Sequence, residues 1–218
     1  MGTDEKDWLR LRKRMVEEQL VTRGIRDRAV LDAMLAVPRE RFVDRQFRDS
    51  SYCDGPLPIG YGQTISQPYI VAYMCELLEV ETHHHVLEIG CGSGYQAAVL
   101  GQLARSVVAV ERIEPLYDRA LSVLKDEIDN GTVRLILGDG TNGVKALAPF
   151  DRIIVSAAIQ ADRPPPALLE QLKPGGILVA PLGTMFQTIR IFHKKEDGIE
   201  ERQGIAVSFV PFVSDENT

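Results

Sequence analysis

The chain has 218 residues, of which 44% are hydrophobic and 26% are charged, and its formal net charge at pH 7 is −6. Domains average roughly 150 residues and α/β folds of this length usually form one unit, so we expect a single domain that buries its core without disulfides. The net charge disfavours a nucleic-acid partner, which lysine and arginine would have to attract, and no apolar run approaches the roughly 20 residues that span a bilayer.

The first forty residues are predicted to form two helices. The apolar residues of the first helix recur with a period close to that of an α-helix: Trp8, Leu11, Met15 and Leu20. Asp27 is suited to cap a second helix, which stops at Pro38. Residues 50–68 are rich in glycine and proline and predict a loop, after which Pro68 occupies the first turn of a third helix.

From residue 85 onward, short apolar strands alternate with helices. Strands are predicted at residues 86–89, 107–110, 133–137, 151–155 and 177–180, and helices at 95–103, around 114–128 and after the prolines at 164–166. Buried β-branched strands separated by helices predict an α/β fold, with a Rossmann-like, doubly wound and mostly parallel sheet. Residues 187–194 and 205–213 flank the charged turn Glu196–Gly198 and predict a C-terminal antiparallel hairpin.

A glycine-rich segment, Glu88–Gly94, lies where the first of these strands gives way to a helix. Glycines there let the backbone approach a ligand, and the helix N-terminus offers free N–H groups. Glu111 ends the second strand, at the distance from the glycines where an acid accepts hydrogen bonds from both ribose hydroxyls of a nucleoside cofactor. Asp139 and Gly140 follow the third strand, near the expected position of an adenine edge. Together they predict a nucleoside-cofactor site at the carboxyl edge of the sheet.

The spacing of the three glycines distinguishes between possible cofactors. Gly90, Gly92 and Gly94 form G-x-G-x-G, whereas the dinucleotide fingerprint is G-x-G-x-x-G. Glu88 would repel a pyrophosphate but would favour a sulfonium with its ammonium-bearing tail. The predicted cofactor is therefore S-adenosyl-L-methionine (SAM), with S-adenosyl-L-homocysteine as product, rather than NAD.

Several motifs resemble the protein-L-isoaspartate (D-aspartate) O-methyltransferase family. They are Val37–Val43, Leu57–Pro68, Val86–Tyr95, Val110–Ile113 and Phe209–Phe212. The resemblance runs from about residue 12 to residue 213. Its most specific part is the loop from Gln63 to Pro68, because many SAM-dependent methyltransferases share the glycine loop.

The resemblance implies a class I SAM-dependent methyltransferase that methylates the carboxylate of L-isoaspartyl residues in damaged peptides and proteins, the first step of their repair. It further implies that Ser66 is the active-site residue and that Thr64 and Ile65 line the pocket. A segment near Phe209–Phe212 would contact the substrate backbone. From the matching motifs we add Ile59 and Val210 as candidate substrate-binding residues.

The chemistry of this reaction makes few demands on the protein. A carboxylate with an ordinary pKa of about 3.9 is ionised at neutral pH and needs neither a general base nor a metal to attack a methyl group. The hydroxyls of Ser66 and Thr64 suit the task of holding it without quenching its charge. We expect no metal at His83–His85, since consecutive residues of an extended segment point to opposite faces.

Other interpretations remain open. Ser66 is equally suited by position to cap the helix that begins near Pro68. A nucleic-acid amine methyltransferase would carry Asn/Asp-Pro-Pro-aromatic where this chain has Ser156–Ile159, and an NAD-dependent oxidoreductase is disfavoured by the glycine spacing. A SAM-binding sensor without catalysis is disfavoured by the intact loop before Pro68.

The expected organisation is one methyltransferase domain in four parts. These are a helical N-terminal segment with the substrate loop (1–66), a SAM-binding core (67–182), the C-terminal hairpin (183–213) and a polar frayed end (214–218). The odd number of cysteines, which are Cys53, Cys75 and Cys91, favours free thiols and a cytoplasmic location. We expect a monomer.

Overall fold

A seven-stranded sheet forms the centre of the structure, a computed structural model that describes residues 7–212. Its strands are β3 (His85–Ile89), β4 (Ser106–Glu111), β5 (Val133–Leu137), β6 (Phe150–Val155), β7 (Leu172–Leu182), β8 (Gln187–Lys195) and β9 (Gly198–Val207). They lie in the order β5-β4-β3-β6-β7-β8-β9; the first five are parallel and the last two antiparallel. The predicted mostly parallel sheet with a C-terminal hairpin is confirmed.

Helices surround this sheet. They are α1 (Trp8–Met15), α2 (Arg28–Ala36), α3 (Pro68–Leu78), α4 (Tyr95–Leu103), α5 (Glu114–Val123), α6 (Lys125–Asp129) and α7 (Pro166–Glu170). A π-helical segment, Val16–Val21, extends α1, and 3₁₀ turns occupy Arg39–Phe42, Arg45–Ser50 and Lys145–Leu147. None of the helices within residues 7–212 combines the length and apolar character needed to cross a membrane.

Alternate side chains of each central strand enter two separate hydrophobic clusters, as the two-residue period of a strand requires. In β4, Val107 and Ala109 belong to one cluster and Val108 and Val110 to the other. The first cluster joins the sheet to α1–α5, whereas the second packs under α7. The sheet is therefore covered on both faces.

The second N-terminal helix, α2, begins at the cap residue that the sequence predicts. The Asp27 side chain accepts hydrogen bonds from the backbone N–H groups of Ala29 (2.8 Å) and Val30 (3.2 Å), at the start of α2. Such bonds satisfy donors that have no partner inside the helix.

The prediction of a simple loop over residues 50–68 is wrong in one part. A small antiparallel hairpin, β1 (Leu57–Gly60) and β2 (Gln63–Ile65), lies inside it. Tyr61 and Gly62 form its turn, with φ of 53° and 72°. Strands of three or four residues bounded by glycine and proline show too little alternation for sequence patterning to detect.

The second strand of the C-terminal hairpin was also predicted in the wrong place. It is β9, Gly198–Val207, rather than residues 205–213. β9 lies at the edge of the sheet, and its first six residues are exposed, with Glu200, Glu201 and Arg202 among them. An exposed edge strand lacks the apolar alternation on which the prediction relied. The predicted frayed end, 214–218, lies outside the described residues.

Candidate active site

A cleft, here called the cofactor cleft, opens at the carboxyl ends of β3, β4, β5 and β6. Its walls come from five segments, with residues 210–212 closing one side. The lining residues of these segments are Gln63 and Thr64, then Ile89, Gly90 and Gly92, then Val110–Ile113, then Gly138 and Gly140, and finally Ser156 and Ala157. The carboxyl edge of a parallel sheet is where open α/β folds bind ligands. The structure thus brings Gly90, Gly92, Gly140 and Glu111 to one place, whereas Gly94 does not line the cleft.

Two of the predicted glycines, Gly94 at the start of α4 and Gly140 in the cofactor cleft, occupy positions where a side chain would be crowded. At Gly94 φ is 86°, and a Cβ would lie 2.9 Å from Cδ1 of Leu124. At Gly140 a Cβ would lie 2.3 Å from Cγ2 of Ile89. The backbone therefore passes closer to its neighbours here than any other residue permits.

Glu111 ties the end of β4 to the glycine loop. Its carboxylate, 5% exposed, accepts hydrogen bonds from the backbone N–H of Gly92 at 2.7 Å and from that of Ile113 at 2.8 Å. A carboxylate has about four lone-pair sites, so two remain for donors on a ligand. This geometry is compatible with a pair of ribose hydroxyls.

Glu88 is fully buried below the same loop. The hydroxyl of Ser156 donates to its Oε1 at 3.3 Å, while its Oε2 has no hydrogen-bond partner within residues 7–212. Burial raises the pKa of Glu88 well above the ordinary value, and the charge of Glu111 adds to that effect. An unpaired carboxylate oxygen of this kind fits a cationic donor such as an ammonium group.

Asp139 behaves differently from the other predicted acid residues. Its Oδ1 accepts hydrogen bonds from the backbone N–H (2.8 Å) and the hydroxyl (2.6 Å) of Thr141. The residues on either side, Gly138 and Gly140, line the cofactor cleft. The Asp139 side chain thus braces the turn that presents this backbone to the cleft.

A larger groove of about 540 Å³, here called the Ser66 groove, lies beside the cofactor cleft. It is lined by Arg23, Pro56, Thr64, Ser66, Gln67, Ile70 and residues 205–209. Thr64 lines both the cleft and the groove, and Ser66 also lines a small inner cavity together with Glu88, Gly90 and Gly92. The two spaces therefore meet at the β2–α3 junction.

The interpretation of Ser66 as a helix cap is wrong. The N-cap residue of α3 is Gln67, and no side chain caps that helix. The Ser66 carbonyl instead accepts a 2.7 Å hydrogen bond from Nη2 of Arg39, a completely buried residue. Sequence reasoning missed Arg39, although it lies in the Val37–Val43 motif, because nothing in the spacing shows what a buried guanidinium contacts.

The remaining substrate candidates are spread over several sites. Ile59, 1% exposed, packs beneath the glycine loop, where its Cδ1 would lie 3.3 Å from a Cβ on Gly92, and it does not line the Ser66 groove. Ile65 is buried along the inner cavity. Val210 lines the cofactor cleft, and its carbonyl accepts a hydrogen bond from Ala158 at 2.8 Å.

The reason given for excluding a shared ion at the histidines does not hold. Residues 82 and 83 form a turn rather than an extended segment, and potential ligand atoms of Glu81, His83 and His84 lie within 4.8 Å of one another. This group lies before β3, at the end of the strand opposite to the cofactor cleft. Nδ1 of His84 accepts a hydrogen bond from the backbone N–H of Glu81 at 2.9 Å, so that nitrogen is already engaged.

The parallel sheet, the glycine loop and the acids at the strand ends define a class I methyltransferase, a class that takes its methyl group from SAM. Comparisons with known proteins narrow this class. The family model for protein-L-isoaspartate(D-aspartate) O-methyltransferase matches residues 10–217. The chain belongs to this family.

Curated relatives named protein-L-isoaspartate O-methyltransferase are similar over most of their length. The protein from Opitutus terrae is 50% identical over 92% of this chain and 86% of its own. The one from Methanopyrus kandleri is 46% identical over 99% of this chain and 97% of its own.

Solved structures agree. One protein-L-isoaspartate O-methyltransferase has a TM-score of 0.82 at 27% identity, over 92% of this chain and 65% of that chain. A second, from Plasmodium falciparum in complex with S-adenosyl-L-homocysteine, has a TM-score of 0.80 at 24% identity, over 93% of this chain and 98% of its own. At 24% identity, the similarity to the second structure is evidence for the fold alone.

The buried acid below the glycine loop generates a testable prediction. Because the pKa of Glu88 is raised in the folded protein, its contribution to stability is fully present below the unfolded pKa of about 4.3 and is lost as the pH rises through the folded pKa. Glu88→Gln should therefore increase the free energy of unfolding of the cofactor-free protein near neutral pH, with a gain that shrinks toward acid pH. Urea unfolding between about pH 4 and pH 8 measures this.

Glu17→Gln, which changes an exposed glutamate of the π-helical segment, is the matched control and should show no such pH-dependent gain. A Glu88→Gln curve parallel to that of the unmodified protein at every pH would contradict the prediction.

Proposed function

We propose that this chain transfers the methyl group of SAM to the free carboxylate of L-isoaspartyl residues in damaged peptides and proteins, and so initiates their repair. The observation that supports this most directly is that Thr64 lines both the cofactor cleft and the Ser66 groove, while Ser66 lines the groove and the inner cavity next to the glycine loop. Family membership supports the same reaction.

The residues of the cleft suit each part of the cofactor. The two free lone-pair sites of Glu111 would accept the ribose hydroxyls, and the orphan Oε2 of Glu88 would accept the ammonium. Gly90 and Gly92 of the glycine loop would give the cofactor a close backbone contact, with Gly94 starting the helix behind them, and Asp139–Gly140 would lie beside the adenine. Bound SAM supplies an electrophilic methyl group to this site.

On the substrate side the chain would provide neutral donors. The free carboxyl of an isoaspartyl residue is an α-carboxyl with a pKa of roughly 3.3–3.7 in water, so it arrives ionised and no residue needs to remove a proton from it. The hydroxyls of Ser66 and Thr64 would orient one carboxylate oxygen without neutralising it as an arginine would. Orientation of this kind contributes up to roughly 7–11 kcal/mol in well-aligned systems.

The segments play different parts in this proposal. Ile65 and Val210 would line the site where cleft and groove meet, and the chain around Phe209 would run beside the substrate backbone. Ile59 would support the glycine loop from below. The carboxylate needs no Lewis acid to become reactive, so the reaction requires no metal.

We extend the proposal to the organisation of the protein. The N-terminal helices and the sheet share one hydrophobic cluster, which supports a single domain. Within it we keep the predicted parts 1–66, 67–182, 183–213 and 214–218. The three cysteines are free, which supports a cytoplasmic location. We propose a monomer whose partners are isoaspartyl peptides and proteins, with neither nucleic acid nor membrane involved.

The experiment that tests the function is transfer of labelled methyl from SAM to an isoaspartyl peptide, with the aspartyl peptide of the same sequence as control. Base-labile label on the first peptide and none on the second is the expected result. Equal labelling of both peptides, or labelling of neither, would contradict the proposed function.

Ser66→Ala tests the catalytic role in the same assay. A hydrogen bond to a charged group contributes about 1.5–3 kcal/mol, so kcat/KM should fall by roughly ten- to a hundredfold, while the Kd of S-adenosyl-L-homocysteine stays nearly constant. Ser122→Ala, an exposed serine on α5, is the control. Unchanged turnover in Ser66→Ala would show that the hydroxyl has no part in the reaction.

Glu111→Gln tests the ribose contact. One acceptor oxygen is lost and an N–H group takes its place, so the Kd of S-adenosyl-L-homocysteine, measured by calorimetry, should rise by about tenfold or more. Glu114→Gln, an exposed glutamate three residues further on, should leave the Kd unaltered. Equal affinities for the two variants would refute the ribose role.

A further inference from the structure

Arg39 has the largest of the fully buried side chains, and that side chain carries a charge. Its exposure is 0%, and within residues 7–212 it forms no ion pair with a carboxylate. Burial lowers the pKa of Arg39 to about 10, so the guanidinium stays charged at neutral pH. A buried cation without a counter-charge is strongly unfavourable unless its hydrogen bonds compensate.

The hydrogen bonds of Arg39 join separate parts of the candidate site. Nε donates to the carbonyl of Ser51 at 2.8 Å, and Nη2 donates to the carbonyl of Ser66 at 2.7 Å. The guanidinium also stacks on the ring of Tyr95, 4.8 Å from its centroid. Tyr95 immediately follows Gly94, the last glycine of the cofactor loop, and begins α4.

We propose that Arg39 is a positioning residue for methyl transfer, because its guanidinium fixes the backbone of Ser66 relative to the glycine loop. This rests on the role proposed above for Ser66. Ser66 lies in a two-residue connection between β2 and α3, and no side chain caps α3. The bond from Arg39 therefore holds the Ser66 backbone at a point that the helix cap leaves unsupported.

Lysine cannot replace this group. Arginine presents a planar fork of donors that bonds two carbonyls and stacks on a ring at the same time, whereas an ammonium is a point charge on a flexible stem. A shift of about 1 Å in a positioning group can cost roughly a hundredfold in rate. Loss of the fork should therefore reduce kcat far more than it reduces cofactor affinity.

Arg12 offers a matched control in the same part of the protein. It donates to the carbonyls of Leu35 and Ala36, each at 3.1 Å, and pairs with Glu40 at 3.3 Å. Arg12 thus also links one element to the backbone of another, since it joins α1 to the end of α2. Its hydrogen bonds and ion pair, however, involve neither the β2–α3 junction nor the glycine loop.

The experiment is a double-mutant cycle on the full chain. Arg39→Lys and Arg12→Lys are made in the unmodified and the Ser66→Ala background, with kcat and KM for an isoaspartyl peptide and the Kd of S-adenosyl-L-homocysteine measured below the melting temperature of each variant. In the unmodified background, we expect Arg39→Lys to lower kcat by about tenfold or more and to change the Kd by less than about twofold. In the Ser66→Ala background, we expect Arg39→Lys to cause no further loss of kcat. Arg12→Lys should leave kcat within about twofold whatever its effect on melting temperature.

Arg39→Gln, which introduces no buried ammonium, provides a second variant should the lysine form unfold, and the same non-additivity is expected of it. An unchanged kcat, or a loss of equal factor in both backgrounds, would overturn the positioning role. If Ser66→Ala alone retains full kcat, the role proposed for Ser66 fails and that of Arg39 fails with it. If Ser66→Ala lowers kcat but neither Arg39 variant does, the Arg39 proposal alone is overturned.

Discussion

The hydrogen bond from the Gly92 N–H to the Glu111 carboxylate is the interaction on which the candidate site depends. It joins the loop after β3 to the end of β4, two strands already in parallel register. Because Glu111 also accepts the Ile113 N–H, one buried carboxylate fixes both turns that shape the cofactor cleft. The shape of the cleft is therefore set by hydrogen bonds within the protein, and the remaining lone pairs of Glu111 lie at its wall.

Acids and hydroxyls occupy different parts of the candidate site. Glu111 lines the cofactor cleft and the buried Glu88 lines the inner cavity beside it, whereas Ser66 and Thr64 line the Ser66 groove. A cationic donor and an anionic acceptor would thus each be matched at their own end. Methyl transfer cancels the sulfonium charge and the carboxylate charge together, so the electrostatic attraction that favours the reactants is absent between the products.

The sequence predicted those parts of the structure that depend on strong local patterns. β5 and α4 were predicted to the residue, because an apolar run and a helical period each have sharp ends. The positions of Gly92 and Glu111 followed from topology, since parallel strands finish at one edge. β9 was misplaced because an edge strand carries no apolar alternation. The contacts of Arg39 were missed because Ser51 and Ser66 are brought to its guanidinium only by the tertiary fold.

The exposed charges of β9 have a consequence for a protein that handles damaged chains. Unfolded polypeptides add readily to a free sheet edge as an extra strand, which leads to aggregation. The first residues of β9, which include Glu200, Glu201 and Arg202, discourage such pairing, while only its last three residues reach the Ser66 groove. An unfolded chain is thereby kept from adding to most of this edge as an extra strand.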